Sequence, residues 1–351
     1  MSHYNIAVIS GDGVGPEVIE EGKKVLNALS APTFTFTDFE WSSNYYRQTG
    51  QFIPDGGLDE AANYDAIFFG AVGDAEIQDH ITLNNLILPI RRRFDQYACV
   101  RPAYLYEGVQ SPLIEKYGGD IDLVVIRENT EGEYADVGGR LYQQSNQEVA
   151  VQTSVFTRHG TERIIRYAFE EARRRQKKNK VTSITKSNAQ GYSMVFWDEV
   201  FEQVKSDYPD IKTESLLIDA AAMDFVRRPE DFDVVVASNL FGDILTDISA
   251  ATVGSMGLAP SANLNPDREF PSMFEPVHGS AFELIGKGLV NPLATILAAA
   301  MMVEFLGDND AGAHIRKAVS DNLRENKVRT PDIGGKSTTT DVGDDIMRRM
   351  S

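Results

Sequence analysis

Residues 4–29, YNIAVISGDGVGPEVIEEGKKVLNAL, join a short apolar run, a glycine-rich turn and an amphipathic stretch. The apolar run at 4–10 is typical of a buried β-strand. The spacing of the apolar residues at 16–29 is typical of a helix, and Pro16 suits its first turn. This stretch therefore predicts a strand, a tight turn and a helix, which is the repeating unit of α/β folds.

The glycine-rich turn departs from the Rossmann dinucleotide fingerprint, G-x-G-x-x-G. Pro16 stands at the third glycine position, and Asp12 places a carboxylate inside the turn. We therefore expect a tight structural turn, although its glycines also allow close approach to a ligand. Residues 335–337, GKS, end like a P-loop, but Thr330 stands where that motif needs a glycine, so a phosphotransferase is disfavoured.

Short β-rich runs alternate with longer amphipathic stretches along the rest of the chain. We predict strands at 4–10, 33–39, 66–70, 96–104, 122–127, 149–156, 181–186, 214–218 and 233–238. We predict helices at 16–29, 82–93, 158–176, 192–206, 240–253, 292–306 and 311–325. This order favours an α/β protein with a mainly parallel sheet, whereas the alternating run at 149–156 is typical of a half-exposed antiparallel strand.

The length of 351 residues suits two domains or one large α/β unit. Two connecting stretches rich in glycine and proline, at 105–119 and 254–276, are candidate domain boundaries. They predict a larger domain, built from 1–100 and 254–351, into which a smaller domain at 101–253 is inserted.

The composition limits the partners. There are 52 acidic and 34 basic residues, a net charge of −18, which disfavours binding to nucleic acid or anionic membranes. The lone Cys99 excludes a disulfide framework and fits a reducing compartment. Without a membrane-spanning run or a leader we expect a cytoplasmic protein. An anionic substrate would need a local cluster of cations in so acidic a chain.

Two acids in NLFGDILTDIS, Asp243 and Asp247, are four residues apart. On a helix this spacing places both carboxylates on one face. Close like charges raise each other's pKa unless a cation joins them, and oxygen ligands favour Mg²⁺ or Mn²⁺. The pair is a candidate metal site, although a solvated helix face also fits it.

Three arginines are candidates for binding an anion. Arg101 lies within the apolar run YACVRPAY, and Arg127 directly follows DLVVI. A charge at the end of a buried strand is either paired or kept for an anionic ligand. The third, Arg91, shares one predicted helix face with Asn84, Ile87 and Leu88.

Two further groups have the chemistry of proton transfer. Lys186 ends the strand run VTSIT, and the carboxyl ends of strands are where open α/β sheets bind ligands. Tyr134 lies seven residues after Arg127. Taken alone, each residue also fits a structural role, as a surface lysine or a packed tyrosine. Their neighbours in the fold decide between a structural and a catalytic role.

These stretches occur in a fixed order over about residues 5–305: GDGVGPEV, IRRRFDQYACVRP, RENTEGEY, TKSN, NLFGDILTD, and EPVHGSA followed by GKG and NP. Together they resemble the metal-dependent β-decarboxylating dehydrogenases, which act on isopropylmalate, isocitrate, homoisocitrate or tartrate and D-malate. The resemblance implies an isopropylmalate-dehydrogenase-like α/β fold, distinct from the Rossmann fold, with a smaller domain that carries dimer-forming strands. It also implies a homodimer that oxidises a 2-hydroxy diacid with NAD(P) and releases CO₂.

The resemblance also implies roles for individual residues. Lys186 would remove the hydroxyl proton, Tyr134 would protonate the enol, and the second subunit would supply Lys186 and Asp219. The implied substrate residues are Asn84, Ile87, Leu88, Arg91, Arg101, Arg127 and Asn188; the metal ligands are Asp219, Asp243 and Asp247; the cofactor residues are His278, Gly279, Ser280, Ala281, Glu283 and Asn291. Glu283 replaces the family's usual aspartate, and its carboxylate would repel a 2′-phosphate, which favours NAD over NADP.

The choice of substrate is limited by the residues that share the predicted helix face of Arg91, namely Asn84, Ile87 and Leu88. This helix face has no charged side chain to bind a third carboxylate, which disfavours isocitrate and homoisocitrate as substrates. Ile87 and Leu88 could accept an isopropyl group, so 3-isopropylmalate stays an alternative. The stretches DHITL, FDQY, TKSN and PSMFEPVHG most resemble the tartrate/D-malate branch. We expect conversion of D-malate to pyruvate and CO₂, oxidation of tartrate, or both, with NAD and Mg²⁺ or Mn²⁺. A non-catalytic regulatory subunit would lack one of the reactive residues, and all are retained.

Overall fold

The computed structural model describes residues 2–350 of the chain. The strands are β1 (His3–Gly11), β2 (Thr33–Asp38), β3 (Ala66–Ala71), β4 (Ala98–Tyr104), β5 (Asp122–Glu128), β6 (Gly132–Leu141), β7 (Val149–Val155), β8 (Lys180–Thr185), β9 (Lys212–Leu217), β10 (Val234–Ala237), β11 (Pro260–Leu264) and β12 (Ser272–Pro276). The helices are α1 (Gly15–Asn27), α2 (Ser43–Thr49), α3 (Gly57–Ala61), α4 (Asp79–Thr82), α5 (Leu88–Arg93), α6 (Arg158–Arg175), α7 (Ser193–Lys205), α8 (Ile218–Arg227), α9 (Asn239–Thr252), α10 (Leu293–Leu306), α11 (Asn309–Glu325) and α12 (Thr339–Met350). A π-helical turn, Leu83–Ile87, joins α4 to α5.

One large mixed sheet runs through the described part of the chain, in the order β2-β1-β3-β12-β11-β4-β5-β10-β8-β9. The strands are parallel at both ends of the sheet, and antiparallel pairs join β12 to β11, β11 to β4 and β4 to β5 in the middle. The strands before residue 105 and those at 260–276 are contiguous in the sheet, as are the strands at 122–237. The prediction of an α/β protein with a mainly parallel sheet is confirmed, since six of the nine pairs between described strands of this sheet are parallel.

Helices cover both faces of the sheet. Along β1, Ile6 and Val8 pack into one apolar core while Ala7 and Ile9 pack into a second. Successive side chains of a strand point to opposite faces, so this split means that β1 is buried on both sides. Helix α10, whose surroundings the sequence left open, is buried over most of its length and packs against α1, α11 and β12.

The glycine turn predicted after β1 is a structural turn. Asp12 accepts hydrogen bonds from the backbone N–H of Ser43 (2.9 Å), the hydroxyl of Ser43 (2.6 Å) and the backbone N–H of Gly73 (3.1 Å). The carboxylate thereby ties the β1–α1 turn to the loop after β3 and to the start of α2. This use of Asp12 explains why an acid occupies a turn that would otherwise suit a phosphate.

Strands β6 and β7 form a separate antiparallel ribbon. The register pairs Val137 with Thr153, Gly139 with Val151 and Leu141 with Val149, so these side chains share one face. The antiparallel expectation for 149–156 is therefore confirmed. Within residues 2–350, no helix is long and apolar enough to cross a membrane.

Candidate active site

A cavity lies where the ends of β3, β4, β5 and β12 meet α5 and α9. Its polar lining comprises Arg91, Arg101, Arg127, Tyr134, Asp243, Glu275 and His278. Its apolar lining includes Phe69, Val72, Leu83, Ile87 and Val277. Four of the residues singled out from the sequence as an anion-binding and acid–base group, the three arginines and Tyr134, thus meet in one place.

Asp243 is the centre of a hydrogen-bonded network in this cavity. Arg127 donates to its Oδ1, Arg101 Nη1 lies 3.1 Å from the same oxygen, and Tyr134 Oη donates to Oδ2 at 3.0 Å. Arg127 also donates twice to Asn239 Oδ1, at 3.0 and 2.7 Å. One carboxylate therefore faces two guanidinium groups, both of which are buried.

The two acids of α9 differ in environment. Burial opposes ionisation of Asp243, but Arg127 and Arg101 outweigh it and hold its pKa below the usual value. Partial burial and the charge of Asp243 raise the pKa of Asp247. The spacing prediction holds, since both acids lie on α9 and Asp247 responds to Asp243. A cation beside Asp247 would relieve this repulsion.

Arg91 makes a second buried ion pair. Its Nη2 lies 3.4 Å from Glu275 Oε1, and the same oxygen accepts a hydrogen bond from Asn263 Nδ2 at 2.7 Å. Arg91 Nε is buried without a hydrogen-bond partner among the described residues. Three guanidinium groups thus face the two carboxylates of Asp243 and Glu275, which leaves an excess positive charge in the cavity.

Tyr134 sits beneath one of these arginines. The Arg127 guanidinium carbon lies 5.2 Å from the centre of the tyrosine ring, within the range of a cation–π contact. Burial, reinforced by the negative charge of Asp243, raises the pKa of Tyr134. The phenol therefore keeps its proton at neutral pH and is available as a proton donor.

Lys186 and Asp219 meet outside the cavity lining. Lys186 follows β8 and Asp219 opens α8 directly after β9; these strands are parallel neighbours, so their ends are adjacent. Lys186 Nζ lies 2.8 Å from Asp219 Oδ1, and this contact holds the pKa of Asp219 below its usual value. Asn188 lies exposed in the loop after Lys186. One copy of the chain thus leaves these three residues apart from the arginine cluster.

The helix predicted at 82–93 is interrupted. A π-helical turn contains about one residue more than an α-helical turn. The residues that face the cavity therefore differ from those that a regular helix would place there. Ile87 and Arg91 line the cavity as expected, together with Leu83, which the sequence pattern missed. Asn84 and Leu88 lie outside the lining, and Leu88 is buried in the protein.

The predicted cofactor residues follow β12. Val14 donates its backbone N–H to the carbonyl of Ser280 (3.1 Å), and the Ser280 hydroxyl donates to the carbonyl of Gly73 (2.9 Å). The segment is thereby packed against the glycine turn. The Nε2 atom of His278 is buried without a hydrogen-bond partner among residues 2–350, and burial lowers the pKa of this imidazole. A neutral imidazole with an unused ring nitrogen can accept a hydrogen bond from a ligand.

The other predicted cofactor residues have varied surroundings. Gly279 borders the cavity with open space around it, while Ala281 adopts a left-handed conformation and is exposed. Glu283 is exposed on the turn that follows. The buried Asn291 is used within the chain, because its amide donates to Asp332 (3.0 Å) and its oxygen accepts from the Leu293 N–H (3.0 Å).

Sequence reasoning missed two polar residues of the cavity network. Asn239, which holds Arg127, directly precedes the LFGD part of a quoted motif, and Glu275 opens EPVHGSA. Both residues belong to motifs quoted from the sequence, NLFGDILTD and EPVHGSA. Only the three-dimensional contacts show that each pairs with one of the arginines.

Comparison with known proteins agrees with this geometry. The family described as isocitrate/isopropylmalate dehydrogenase matches residues 5–346. The chain is 48% identical to the probable tartrate dehydrogenase/decarboxylase of Bacillus subtilis (strain 168), covering 100% of this chain and 99% of that protein. It is 48% identical to the D-malate dehydrogenase [decarboxylating] of Escherichia coli (strain K12), covering 99% of both. The crystal structure of isocitrate dehydrogenase from Methylococcus capsulatus superposes with a TM-score of 0.89 at 33% identity, covering 99% of both chains. The chain belongs to the isocitrate/isopropylmalate dehydrogenase family.

Proposed function

We propose that this protein catalyses the NAD- and divalent-metal-dependent oxidative decarboxylation of a 2-hydroxy diacid, with D-malate giving pyruvate and CO₂ and with tartrate as a second substrate. The observation that carries the proposal is the buried cluster of Arg91, Arg101 and Arg127 around one cavity. Concentrating three cations inside a chain of net charge −18 favours a small anion with two carboxylates. The relatives named for D-malate and tartrate support this choice of diacid.

The acids of α9 fit a divalent cation. Asp243 and Asp247 present carboxylate oxygens, the ligand type that Mg²⁺ and Mn²⁺ prefer. Among residues 2–350 no group of three acidic, histidine or cysteine side chains surrounds a possible metal position. We propose that Asp219 of a second copy completes the ligand set. A bound cation would polarise the substrate oxygens, and bound NAD would supply the hydride acceptor.

A second copy is supported by apolar surface left uncovered. Helices α8 and α9 pack against each other and expose Met223, Val226, Leu240 and Ile244. The β6–β7 ribbon exposes Val137, Leu141, Val149 and Val151, which lie on the single face defined by its register. An isolated two-stranded ribbon is marginally stable, so its apolar face needs a partner. We propose a homodimer in which both surfaces are buried.

Side chains of the protein bind the substrate and NAD and transfer the protons of the reaction. The arginines bind and orient the two carboxylates of the diacid, which fixes the C2 hydroxyl relative to the catalytic groups. Lys186 of the second copy takes the hydroxyl proton. After CO₂ leaves, Tyr134 donates its proton to C3. His278 and the following segment hold the adenosine part of NAD, and Glu283 disfavours NADP. The buried, lone Cys99 fits a reducing compartment such as the cytoplasm.

The proposed reaction is tested by following NADH formation with D-malate, tartrate and 3-isopropylmalate, each with Mn²⁺ and with EDTA. We expect turnover of D-malate and tartrate, with kcat/KM at least about tenfold above that for 3-isopropylmalate, and loss of activity in EDTA that Mn²⁺ restores. A preference for 3-isopropylmalate would overturn the choice of substrate. Full activity in EDTA would overturn the metal-dependent scheme.

Replacing Tyr134 by phenylalanine removes the proposed acid and keeps the ring beneath Arg127. We expect kcat to fall by about 10²–10⁴, the usual contribution of a positioned acid or base. The melting temperature should fall only modestly: a hydrogen bond to an ionised carboxylate contributes about 1.5–3 kcal/mol, and Asp243 keeps its contacts to Arg127 and Arg101. Steady-state kinetics and thermal unfolding measure the two effects. An unchanged kcat would remove Tyr134 from the reaction.

A further inference from the structure

Tyr134 lies in an irregular part of the β6–β7 ribbon. The pairing with β7 shifts register between Gly132 and Val137, and residues 133–136 lie in this bulge. The extra residues of a bulge are left unpaired by the neighbouring strand, and bulges next to active sites redirect side chains. The backbone that carries Tyr134 therefore needs contacts from outside the ribbon to fix its position.

Two charged side chains hold this bulge. Glu133 accepts hydrogen bonds from the hydroxyl of Ser238 (2.8 Å) and from the backbone N–H of Leu240 (3.1 Å), which ties the bulge to the start of α9. Arg92, on α5, donates from Nη2 to the backbone carbonyl oxygen of Tyr134 itself (2.7 Å). The backbone of the proposed acid is thus fixed to two helices that border the cavity.

Arg92 differs from the arginines on either side of it. Arg91 pairs with Glu275 inside the cavity, and Arg93 donates to Asp59 (2.9 Å). Among residues 2–350 Arg92 forms no ion pair, and its hydrogen bond goes to a neutral carbonyl. Its side chain is exposed, so this contact adds little to the stability of the fold. In a chain of net charge −18, a cation without an acidic partner that holds the backbone beside the cavity indicates a role in positioning.

We propose that Arg92 is a positioning residue that sets where the phenol of Tyr134 stands relative to the substrate. This inference rests on the proposed function and adds a residue to its proton-transfer step. Arg92 lies outside the cavity lining, so it acts on the reaction through the backbone of Tyr134. Without this donor Glu133 alone holds the bulge, and the phenol reaches the geometry for protonating C3 less often. Small misplacements of a reacting group lower the rate strongly, so the effect falls on kcat.

The test compares Arg92→Met and Arg92→Lys with wild-type enzyme on D-malate. Methionine removes the donor, so we expect kcat to fall by about tenfold or more while KM stays within about twofold. Lysine keeps a cationic donor and should recover part of the lost kcat. Thermal unfolding should place both variants close to wild type, because the contact is on the surface.

Arg93→Met is the matched control. It removes the same charge from the next residue, whose guanidinium contacts Asp59 and the ring of Phe270 instead of Tyr134. We expect this control to leave kcat and KM for D-malate unchanged. A loss of kcat equal to that of Arg92→Met would overturn the inference, because it would show an effect of charge alone.

A double variant shows whether Arg92 acts through Tyr134. If it does, Arg92→Met should lower kcat about tenfold in the wild-type background and change it by less than about twofold in the Tyr134→Phe background. An equal fold loss in both backgrounds overturns the inference, and so does an unchanged kcat in Arg92→Met. Wild-type enzyme that turns over neither D-malate nor tartrate would overturn the proposed function and this inference with it, whereas the other outcomes leave the proposed function standing.

Discussion

Asp243→Asn is expected to lower kcat/KM by about a thousandfold or more and to reduce the stability of the fold. The activity loss follows from the proposed role as a metal ligand, since a Lewis-acid cation supplies several kcal/mol of transition-state stabilisation. The stability loss has a separate origin. Arg127 and Arg101 both contact this carboxylate, and both guanidiniums are buried. Neutralising their partner leaves two buried charges uncompensated.

The size of the stability effect depends on exposure. Breaking a fully buried pair costs about 3–5 kcal/mol. The Asp243 side chain is 37% exposed, so solvent screening reduces the expected cost to about 2 kcal/mol. Because the folded state lowers the pKa of Asp243, this stabilisation is complete above the unfolded pKa of about 3.9 and is lost as the pH falls through the folded value. Wild type and variant should therefore differ at pH 7 and converge in strong acid.

Asp247→Asn separates the two roles. Asp247 lies one helical turn away and is more exposed than Asp243, with no ion pair to an arginine among the described residues. We expect this variant to lose Mn²⁺ affinity in calorimetric titration while it keeps the melting temperature of wild type. Equal destabilisation by the two substitutions would contradict the network centred on Asp243. Unchanged Mn²⁺ binding in both would remove them from the metal site.

The parts of the site that the sequence predicted are those that depend on local spacing. The i, i+4 pair on α9 needs only a helix, and Arg127 needs only a position near the end of a buried strand. Lys186 ends the predicted strand at 181–186, and Asp219 follows the one at 214–218. The parallel pairing of these strands brings Lys186 Nζ to 2.8 Å from Asp219 Oδ1. Local patterns therefore place each group at the end of its own element.

The parts that the sequence missed depend on contacts between distant segments. Strands β11 and β12 are short and bounded by prolines, with Pro260 opposite Pro276, so their pattern is weak. Yet they carry Glu275 to the partner position of Arg91, 184 residues away. Likewise, the spacing of apolar residues at 82–93 does not reveal the π-helical turn, which changes the residues that face the cavity. Strand β6 is rich in glycine and polar residues, and its pairing with β7 supplies the structure that its sequence does not specify.

Mixing two inactive variants is expected to restore activity if the active site is shared between subunits. In the proposed homodimer, Asp243 of one subunit faces Lys186 of the other. A heterodimer of Asp243→Asn and Lys186→Met subunits therefore has one site with both substitutions and one site with neither. Since a two-fold axis makes the two sites equivalent in wild type, the heterodimer should show about half of the wild-type kcat. Each homodimer of a single variant should show almost none.

Two affinity tags on coexpressed subunits allow the heterodimer to be purified and compared with both variant homodimers. The restored activity should have the wild-type KM for D-malate, because the intact site contains no substitution. The same experiment with Asp243→Asn and Asp247→Asn is the control: both acids lie on α9 of one subunit, so each site of that heterodimer carries one substitution and stays inactive. Inactivity of the Asp243–Lys186 heterodimer would show that Lys186 does not act across the interface. Activity in the control would show that mixing subunits restores activity without a shared site. The uncovered faces of α8, α9 and the β6–β7 ribbon would then need another explanation.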